Sequence, residues 1–288
     1  MSGAAGAADG ETLGTLVRLA LAEDVGAGDW TTLWTVSEAR LVRAVVVAKQ
    51  DLIVAGTAAA VAVFDAVDPE LAVEVAVADG QRAAAGDVLL RLAGGARPIL
   101  TAERTALNFL GHLCGVATLT RRFADAVRGT GARIVDTRKT TPGWRTLEKA
   151  AVRAGGGTNH RMGLHDMVLV KENHIEAAGG LEAAVERVRE ANDDGLPVEV
   201  EVRTLEELER ALELGLDRVL LDNMDVPTLR EAVARAGRVG QGRPRLEASG
   251  NVTLDTVRAV AETGVDLISV GALTHSAPGA DLSLRVEA

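Results

Sequence analysis

The sequence predicts an α/β protein built of two parts, a mixed α/β domain followed by an α/β barrel. From Ile134 onward, short apolar segments of strand character alternate regularly with amphipathic helical patterns. This alternation is typical of a parallel sheet assembled from βα units. The strands are numerous and their connections short, which favours a barrel over an open sheet. Before Ile134 helices and strands also alternate, but in a different rhythm, and the length of 288 residues suits one large α/β domain or two modest ones.

The first part is predicted from the spacing of its apolar residues and from its glycine-containing turns. Leu13, Leu16, Val17 and Ala20 have helical spacing, whereas the first ten residues lack any periodic pattern. The predicted elements, in order, are a disordered tail (1–10), a helix (11–22), strands (40–50 and 52–56), a helix (57–67), two strands joined as a hairpin (71–80 and 87–95) and a long helical stretch (99–128) broken near Gly111 and Gly115.

The second part is predicted to contain six short strands with amphipathic helices between several of them. Each strand is a short apolar run, and each helix shows the 3.6-residue period of one buried face. The strands are RIVD (133–136), MVLVK (167–171), VEVEV (198–202), RVLLDN (218–223), RLEASG (245–250) and LISVG (267–271), and the clearest helices are 204–215, 225–237 and 253–264.

Composition excludes several classes of protein. The chain has 288 residues, 47% of them hydrophobic and 25% charged, so it can bury a sizeable core. It contains no tyrosine, which excludes a tyrosine general acid. Its net charge of −10 argues against nucleic acid or an anionic membrane as a partner. The single cysteine, Cys114, is predicted to be a buried core residue, and its lack of a disulfide partner indicates a reducing compartment. The sequence shows no signal-like or membrane-spanning stretch, so we expect a cytoplasmic location.

Positive charge is concentrated in one stretch of this acidic chain. Between Arg133 and His174 there are eight Lys or Arg and four Asp or Glu, so the stretch carries +4 and the remainder −14. Three of the five histidines also lie in it. We therefore expect a small organic anion to bind there.

Residues with chemically useful side chains stand where the predicted strands end. In α/β barrels the functional site is built at the carboxyl ends of the strands. In VEVEV, Glu199 and Glu201 share one face and are predicted to point toward the barrel axis, where each needs a partner. The residues that end the strands, or follow them directly, are Asp136, Arg138, Lys139, Lys171, Glu201, Asp222, Ser249 and Gly271.

Three kinds of ligand group follow from these residue types. Arg138 and Arg161 can each bind a carboxylate through two parallel hydrogen bonds. Glu201 and Asp222 can hold Mg²⁺ or ribose hydroxyls, since Mg²⁺ is commonly bound by one or two carboxylates together with substrate phosphates. The glycine turns in EASGNV and ISVGALTHS can bind a phosphate through backbone N–H groups. The residues alone do not identify the organic anion.

The segment DTRKTTPGWRTLEKAAVRAGGGTNHRMGLHDMVLVKENHI (136–175) resembles the signature of the quinolinate phosphoribosyltransferase family. The resemblance extends in chain order through EDVGAGDWTT (23–32), AERTALNFLGHLCGVAT (102–118), VEVEVRTLEE (198–207), LLDNM (220–224), EASGNV (247–252) and ISVGALTHSAPGADLSL (268–284). It implies transfer of a phosphoribosyl group from phosphoribosyl pyrophosphate to quinolinate with loss of carbon dioxide. The products would be nicotinate mononucleotide, diphosphate and CO₂, a step of de novo NAD biosynthesis.

The resemblance also implies a fold and a set of roles. It implies an N-terminal α/β sandwich domain (11–115, joined by 275–288), a seven-stranded barrel (116–274), Mg²⁺ as cofactor, and a homodimer in which Arg104 reaches the partner's site. Quinolinate would be held by Arg104, Arg138, His160, Arg161 and Lys171, and the phosphoribosyl pyrophosphate by Lys139, Glu201, Asp222, Ser249, Gly250, Asn251 and Gly271. Thr137, Ser269 and Val270 would also bind substrate. Lys139, Lys171, Glu201 and Asp222 would be catalytic, and Glu201 and Asp222 would hold the metal.

The sequence departs from the family pattern at a few positions that carry none of these roles, among them Cys114, Trp144, Ala150 and His165. Asn251 stands where a glycine is usual, and asparagine tolerates a positive φ.

Three alternatives to this function remain open. A related phosphoribosyltransferase-like protein would bind another anion. A Schiff-base aldolase would use Lys171 as nucleophile. A non-enzymatic anion-binding barrel would bind without turnover.

Overall fold

The computed structural model of the chain describes residues 2–240 and 242–287, which form two compact units. Unit 1 comprises the residues up to Arg121, residues 140–156 and those from Leu273 onward, and unit 2 comprises Arg122–Lys139 and Gly157–Ala272. The first elements are α1 (Ser2–Val25), α2 (Trp30–Thr35), β1 (Leu41–Ala48), β2 (Leu52–Ile53), α3 (Thr57–Val67), β3 (Ala72–Val75), β4 (Arg82–Ala83), β5 (Val88–Gly95) and α4 (Ala96–Ala126). They are followed by β6 (Arg133–Val135), α5 (Arg145–Ala154), β7 (Val168–Val170), α6 (Glu172–Ala178), α7 (Leu181–Ala191), β8 (Val198–Val202), α8 (Leu205–Glu213), β9 (Arg218–Asp222), α9 (Val226–Gly237), β10 (Arg245–Ser249), α10 (Val257–Ala261), β11 (Leu267–Ser269), α11 (Ala272–His275) and β12 (Leu282–Glu287).

Unit 1 contains a four-stranded antiparallel sheet of order β12-β1-β5-β3 and a separate β2-β4 pair. The predicted hairpin is confirmed, because β3 and β5 pair antiparallel, although the short strand β4 lies between them in sequence. The last five residues of β1 are buried, as its run of valines requires. The chain end returns to this sheet, where β12 pairs with β1.

The predicted disordered tail is corrected by the structure, because α1 begins at Ser2 and not near residue 11. Met1 lies outside the described residues. The segment contains four alanines, the best helix formers, and extending an existing helix adds one hydrogen bond for each residue fixed. Absence of an apolar period therefore did not mean absence of helix here.

The predicted break in the long helix is wrong, because α4 runs without interruption through Gly111 and Gly115. Both glycines lie where the backbone before β12 crosses the helix. A Cβ atom on Gly115 would lie 2.2 Å from the carbonyl oxygen of Pro278, and one on Gly111 would lie 3.1 Å from that of Ala280. The Ala280 N–H also donates to the Gly111 carbonyl at 2.9 Å. These glycines therefore permit close backbone approach rather than ending the helix.

Residues 140–156 cluster with unit 1, although the sequence assigns them to the barrel. Trp144 stacks on Phe109 of α4, with ring centroids 4.5 Å apart. His112 Nε2 lies 2.8 Å from a carboxylate oxygen of Glu148, whose side chain is fully buried. Residues 140–156 belong to unit 1 because α5 and its N-cap residue Trp144 make these side-chain contacts with α4.

Unit 2 contains a six-stranded parallel sheet of order β6-β11-β10-β9-β8-β7. All six strands predicted from the sequence are present, and the α/β class is confirmed. The helices between them pack by the predicted apolar faces, with Leu208 of α8 and Leu229 of α9 buried. Capping also follows the sequence, since Thr204 and Glu207 form a capping box on α8.

The seventh strand implied by the family resemblance is reduced to a single bridge in the described part of the chain. Thr158 pairs in parallel with Val135 of β6, and no longer ladder extends this pair among the described residues. Three glycines (155–157) precede Thr158, and glycine and asparagine are unfavourable in strands. The chain therefore adopts strand geometry there for about one residue before turning into the site. None of the described helices has both the length and the apolar character needed to cross a membrane.

Candidate functional site

A cavity of about 560 Å³ lies at the carboxyl ends of the strands of unit 2. This volume falls within the ~300–1,000 Å³ typical of small-molecule sites. The strand registers bring its walls together, since Ser249 at the end of β10 stands beside Asp222 of β9 and Ser269 of β11. The lining residues are Thr137, Arg138, Lys139, His160, Arg161, Leu164, Leu169, Lys171, His174, Glu201, Leu220, Asp222, Glu247, Ser249 and Ser269.

Four cationic side chains, those of Arg138, Lys139, Arg161 and Lys171, line this cavity. Burial lowers the pKa of Arg161, and the nearby charge of Arg138 lowers it further. Arg161 is held in place because its Nη1 donates to the carbonyl oxygen of Met167 at 3.0 Å. Two guanidinium groups close enough to repel each other favour an anion between them.

The carboxylates of Glu201 and Asp222 lie at the ends of neighbouring strands β8 and β9 and line the same cavity. Lys171 Nζ lies 3.2 Å from Glu201 Oε2, which supplies the partner that the sequence required. Asp222 Oδ2 lies 3.6 Å from Nε of Arg203 and accepts a hydrogen bond from Asn223 at 3.0 Å. The Lys171 side chain is 50% exposed, whereas a Schiff-base nucleophile needs a desolvated lysine, so the geometry disfavours the aldolase alternative.

His160 stands on a cluster of buried carboxylates beneath the cavity. Its Nε2 lies 3.0 Å from Glu199 Oε2 and 3.4 Å from Glu247 Oε2, and both glutamate side chains are almost fully buried. Glu199 was predicted to have a partner, and His160 is that partner. Glu247 was missed; its signal was a lone carboxylate between apolar residues of a buried strand.

Two groups of this cluster, His160 and Glu199, have raised pKa values. Burial lowers the pKa of His160, but hydrogen bonds and charges of Glu199 and Glu247 outweigh it and raise the pKa to about 9. Burial likewise raises the pKa of Glu199. On the other side of the ring, the Arg161 backbone N–H donates to His160 Nδ1 at 2.7 Å.

The two predicted phosphate loops differ in how they are built. Gly250 has φ +105°, and Asn251 has φ 49°, as its replacement of a glycine predicted. A Cβ on Gly250 would lie 2.1 Å from Oδ1 of Asn223, so the loop requires glycine there. In the second loop the Val270 N–H donates to the carbonyl of Val135 at 3.0 Å and is already used inside the sheet. Ser249 and Ser269 line the cavity, whereas Gly250, Asn251, Val270 and Gly271 do not.

Arg104 is not among the residues that line this cavity. It is an exposed residue of α4 in unit 1, where it lines a different groove with Leu107, Asn108 and His112. Further lining residues that sequence reasoning missed are Leu164, Leu169, His174 and Leu220. His174 Nδ1 accepts the Lys171 backbone N–H at 3.0 Å, which ties the start of α6 to the end of β7.

The fold and site together define an α/β barrel protein with a small-anion cavity at the carboxyl ends of its strands. The chain belongs to the quinolinate phosphoribosyltransferase family, because the model of that family's C-terminal domain matches residues 116–285 and the model of its N-terminal domain matches residues 29–114.

Individual relatives agree with this assignment over nearly the whole chain. A chloroplastic nicotinate-nucleotide pyrophosphorylase [carboxylating] of Arabidopsis thaliana is 45% identical over 294 residues, covering 96% of this chain and 83% of the relative. A probable enzyme of the same name from Synechocystis is 43% identical, covering 92% of this chain and 90% of the relative. The structure of the nicotinate-nucleotide pyrophosphorylase from Francisella tularensis superimposes with a TM-score of 0.91 at 40% identity, covering 96% of both chains.

Proposed function

We propose that this protein transfers the phosphoribosyl group of phosphoribosyl pyrophosphate to quinolinate and releases CO₂ and diphosphate, giving nicotinate mononucleotide in de novo NAD biosynthesis. The observation that carries this proposal is one cavity that combines four cationic side chains with two strand-end carboxylates. Cations suit a dicarboxylate and a diphosphate, while carboxylates suit ribose hydroxyls and a metal ion. Family membership supports the same reaction.

The cationic residues would orient the pyridine ring. Arg138 and Arg161 offer guanidinium groups for the two carboxylates, and Lys171 adds an ammonium group beside Glu201. Lys139 would contact the diphosphate. Holding the ring nitrogen against the anomeric carbon lowers the entropic part of the barrier. His160, expected to share in binding the carboxylates, has both ring nitrogens directed at protein atoms.

Two chemical steps follow. The ring nitrogen forms a bond to the anomeric carbon as the bond from that carbon to diphosphate breaks. Positive charge that develops on the sugar is stabilised by Glu201 and Asp222, which line the cavity with exposures of only 10% and 17%. The bond from the ring to one carboxylate then breaks, and its electron pair remains on the ring carbon, next to the cationic nitrogen, until a proton is added.

Mg²⁺ is part of the proposal. Glu201 and Asp222 fit this ion, because both are hard oxygen donors at adjacent strand ends beside the cavity. When bound, the ion would neutralise charge on the diphosphate leaving group. Lys171 and Arg203, the present ion-pair partners of these carboxylates, would then have to share them with the metal.

We also propose a homodimer in which Arg104 completes the partner's site. Two observations on unit 1 support it. Arg104 is exposed and lies outside the cavity of unit 2. Helix α2 displays Trp30, Leu33 and Trp34, which are 52%, 40% and 78% exposed, and exposed apolar groups of this size are typical of an association surface. The cytoplasmic location stays a prediction.

The reaction is tested with purified protein, Mg²⁺ and phosphoribosyl pyrophosphate, given quinolinate or nicotinate in separate assays. We expect nicotinate mononucleotide and CO₂ in equal amounts from quinolinate alone. Arg138→Ala should abolish turnover with the fold retained. Arg133→Ala is the matched control, because Arg133 is exposed at the start of β6, whereas Arg138 follows the end of that strand; the activity of this variant should be unchanged. A folded protein that does not turn over quinolinate would contradict the proposal.

The dimer is tested by mixing two inactive variants, Arg104→Ala and Arg138→Ala. If Arg104 acts across the interface, each mixed dimer contains one intact site, and random mixing at equal amounts restores about a quarter of wild-type activity. If Arg104 acts within its own chain, the mixture stays inactive. Sedimentation of each variant controls for loss of association.

A further inference from the structure

Beneath the cavity, Glu199 and Glu247 form a buried carboxylate pair that the proposed chemistry does not use. Their side chains are 0% and 1% exposed. None of their four oxygens has a hydrogen bond of regular geometry among the described residues. Nε2 of His160, 3.0 and 3.4 Å away, is the polar group directed at both of them. Burying two carboxylates costs several kcal/mol unless a donor or cation faces them. We therefore expect the pair to serve a function that offsets this cost.

The other side of the His160 ring is joined to Arg161. The Arg161 backbone N–H donates to His160 Nδ1 at 2.7 Å, and the His160 backbone N–H donates to Oδ1 of buried Asp136 at 2.8 Å. With Nδ1 facing the Arg161 N–H, the ring directs its Nε2 at the carboxylate pair. The Arg161 guanidinium in turn donates to the Met167 carbonyl at 3.0 Å. Contacts therefore run without a gap from the buried pair to a cation that lines the cavity.

The same three groups could be taken for a metal site, since their ligand atoms lie within 4.8 Å of one another. A metal-bound histidine, however, normally donates its second ring N–H to an acceptor. Here the second nitrogen, Nδ1, accepts a hydrogen bond instead. The proton on Nε2 then occupies the direction a metal would need.

We propose that Glu199 and Glu247 are positioning residues: they hold the His160 ring through Nε2, and the ring fixes Arg161 so that its guanidinium faces the substrate anion. This inference rests on the proposed function, because the anion that Arg161 binds is there the quinolinate dicarboxylate. The contacts reach the cationic wall of the cavity and not the carboxylates of Glu201 and Asp222, so quinolinate binding is the step they serve.

The test compares Glu247→Gln with Glu247→Leu. A glutamine oxygen can still accept from Nε2–H of His160, and its amide can donate to Glu199, whereas leucine of similar size can do neither. For Glu247→Leu we expect the KM for quinolinate to rise about tenfold or more, with the KM for phosphoribosyl pyrophosphate and kcat changed about twofold at most. Glu247→Gln should restore most of the quinolinate KM.

Asp266→Asn is the matched control, a carboxylate of unit 2 that pairs with Arg243 just before β11, at the opposite end of the sheet. It should lower stability and leave both KM values unchanged. If Glu247→Leu does not fold, His160→Asn takes its place, because asparagine is too short to reach the carboxylate pair; it should show the same selective rise. Equal changes in both KM values, or a glutamine variant as impaired as the leucine variant, would overturn the proposal.

A second readout does not depend on activity. In crystal structures without substrate, Arg161 should keep its contact with the Met167 carbonyl in the wild type and in Glu247→Gln, and lose it in Glu247→Leu. An unmoved Arg161 in the leucine variant would refute the positioning role even if the protein turned over a different anion. Failure of wild-type turnover with quinolinate would refute the proposed function alone.

Discussion

Gly250 is the position where a single methyl group should damage the proposed phosphate loop most. Its φ of +105° is a conformation that residues with a side chain rarely adopt. A Cβ there would lie 2.1 Å from Oδ1, 2.6 Å from Cγ and 3.2 Å from Cα of Asn223. The amide can rotate away, but the backbone atom cannot, because Asn223 is itself held at φ 54° and its N–H donates to the Ser249 carbonyl at 2.8 Å.

The expected cost of Gly250→Ala has two parts. Placing alanine at a positive φ costs roughly 1–2 kcal/mol. Forcing the backbone at Asn223 to yield resembles overpacking, which costs about 1–3 kcal/mol more. Gly129→Ala separates the two parts, because Gly129 has φ +83° with no atom within 4 Å of its Cβ position. Gly129→Ala should lower the free energy of unfolding by about 1–2 kcal/mol, the cost of the positive φ alone.

Urea unfolding gives the stability of both variants, and steady-state kinetics give the KM for phosphoribosyl pyrophosphate. Gly250→Ala should be the less stable of the two and should raise this KM, since it shifts a loop expected to bind a phosphate of phosphoribosyl pyrophosphate. Gly129→Ala should leave KM unchanged. Equal stability losses would refute the steric part of the reasoning. A normal KM in Gly250→Ala would remove this loop from the phosphate site.

Three further predictions concern the two units separately. Gly115→Ala should destabilise the protein, although alanine normally stabilises a helix by ~1 kcal/mol relative to glycine, because its Cβ would lie 2.2 Å from the Pro278 carbonyl oxygen. Gly111→Ala, whose Cβ would lie 3.1 Å from the nearest carbonyl oxygen, should lower the free energy of unfolding less. Thermal unfolding of the two variants checks this order. The pKa of Asp266 is lowered, because its two hydrogen bonds from Arg243 outweigh the opposing effect of burial. The stabilisation by this carboxylate is therefore present above the unfolded pKa of ~3.9 and is lost as the pH falls through the folded value. The stability difference between wild type and Asp266→Asn should accordingly disappear in acid. Burial raises the pKa of Cys114 to about 12, so the thiol should react with a disulfide reagent at pH 8 only after unfolding, and rapid labelling of the native protein would contradict this.

The positions of the catalytic candidates were predictable because a parallel sheet gathers its carboxyl ends at one edge. Glu201, Asp222 and Ser249 end β8, β9 and β10 or lie next to their last residue, and each lines the cavity. Alternating apolar and polar residues in VEVEV also predicted that both glutamates needed partners, which are Lys171 and His160. Local pattern and topology suffice for such residues, since no long-range detail enters the inference.

Features that depend on a distant partner were not predictable. Gly111 and Gly115 looked like helix breakers, but their meaning lies in the backbone at Pro278 and Ala280, more than 160 residues further along the chain. The family resemblance placed residues 140–156 in the barrel. The stacking of Trp144 on Phe109, which associates them with unit 1, could not be predicted from spacing. Arg104 is known as a candidate only through the family resemblance.

In the part of the chain that the structure describes, the seventh strand is reduced to one bridge, and this bears on the role of Glu247. A full strand at Thr158 would hold its chain by a ladder of backbone hydrogen bonds, but here the bridge to Val135 is a single pair. The segment that follows, which includes His160 and Arg161, must therefore be held by side chains: Asp136 accepts the His160 N–H, and the Glu199–Glu247 pair faces the ring. Three buried carboxylates, those of Asp136, Glu199 and Glu247, therefore contact His160, two residues after the bridge at Thr158. In both VEVEV and LEAS a carboxylate stands between apolar residues of a buried strand, and a buried carboxylate needs a cation or a hydrogen-bond donor.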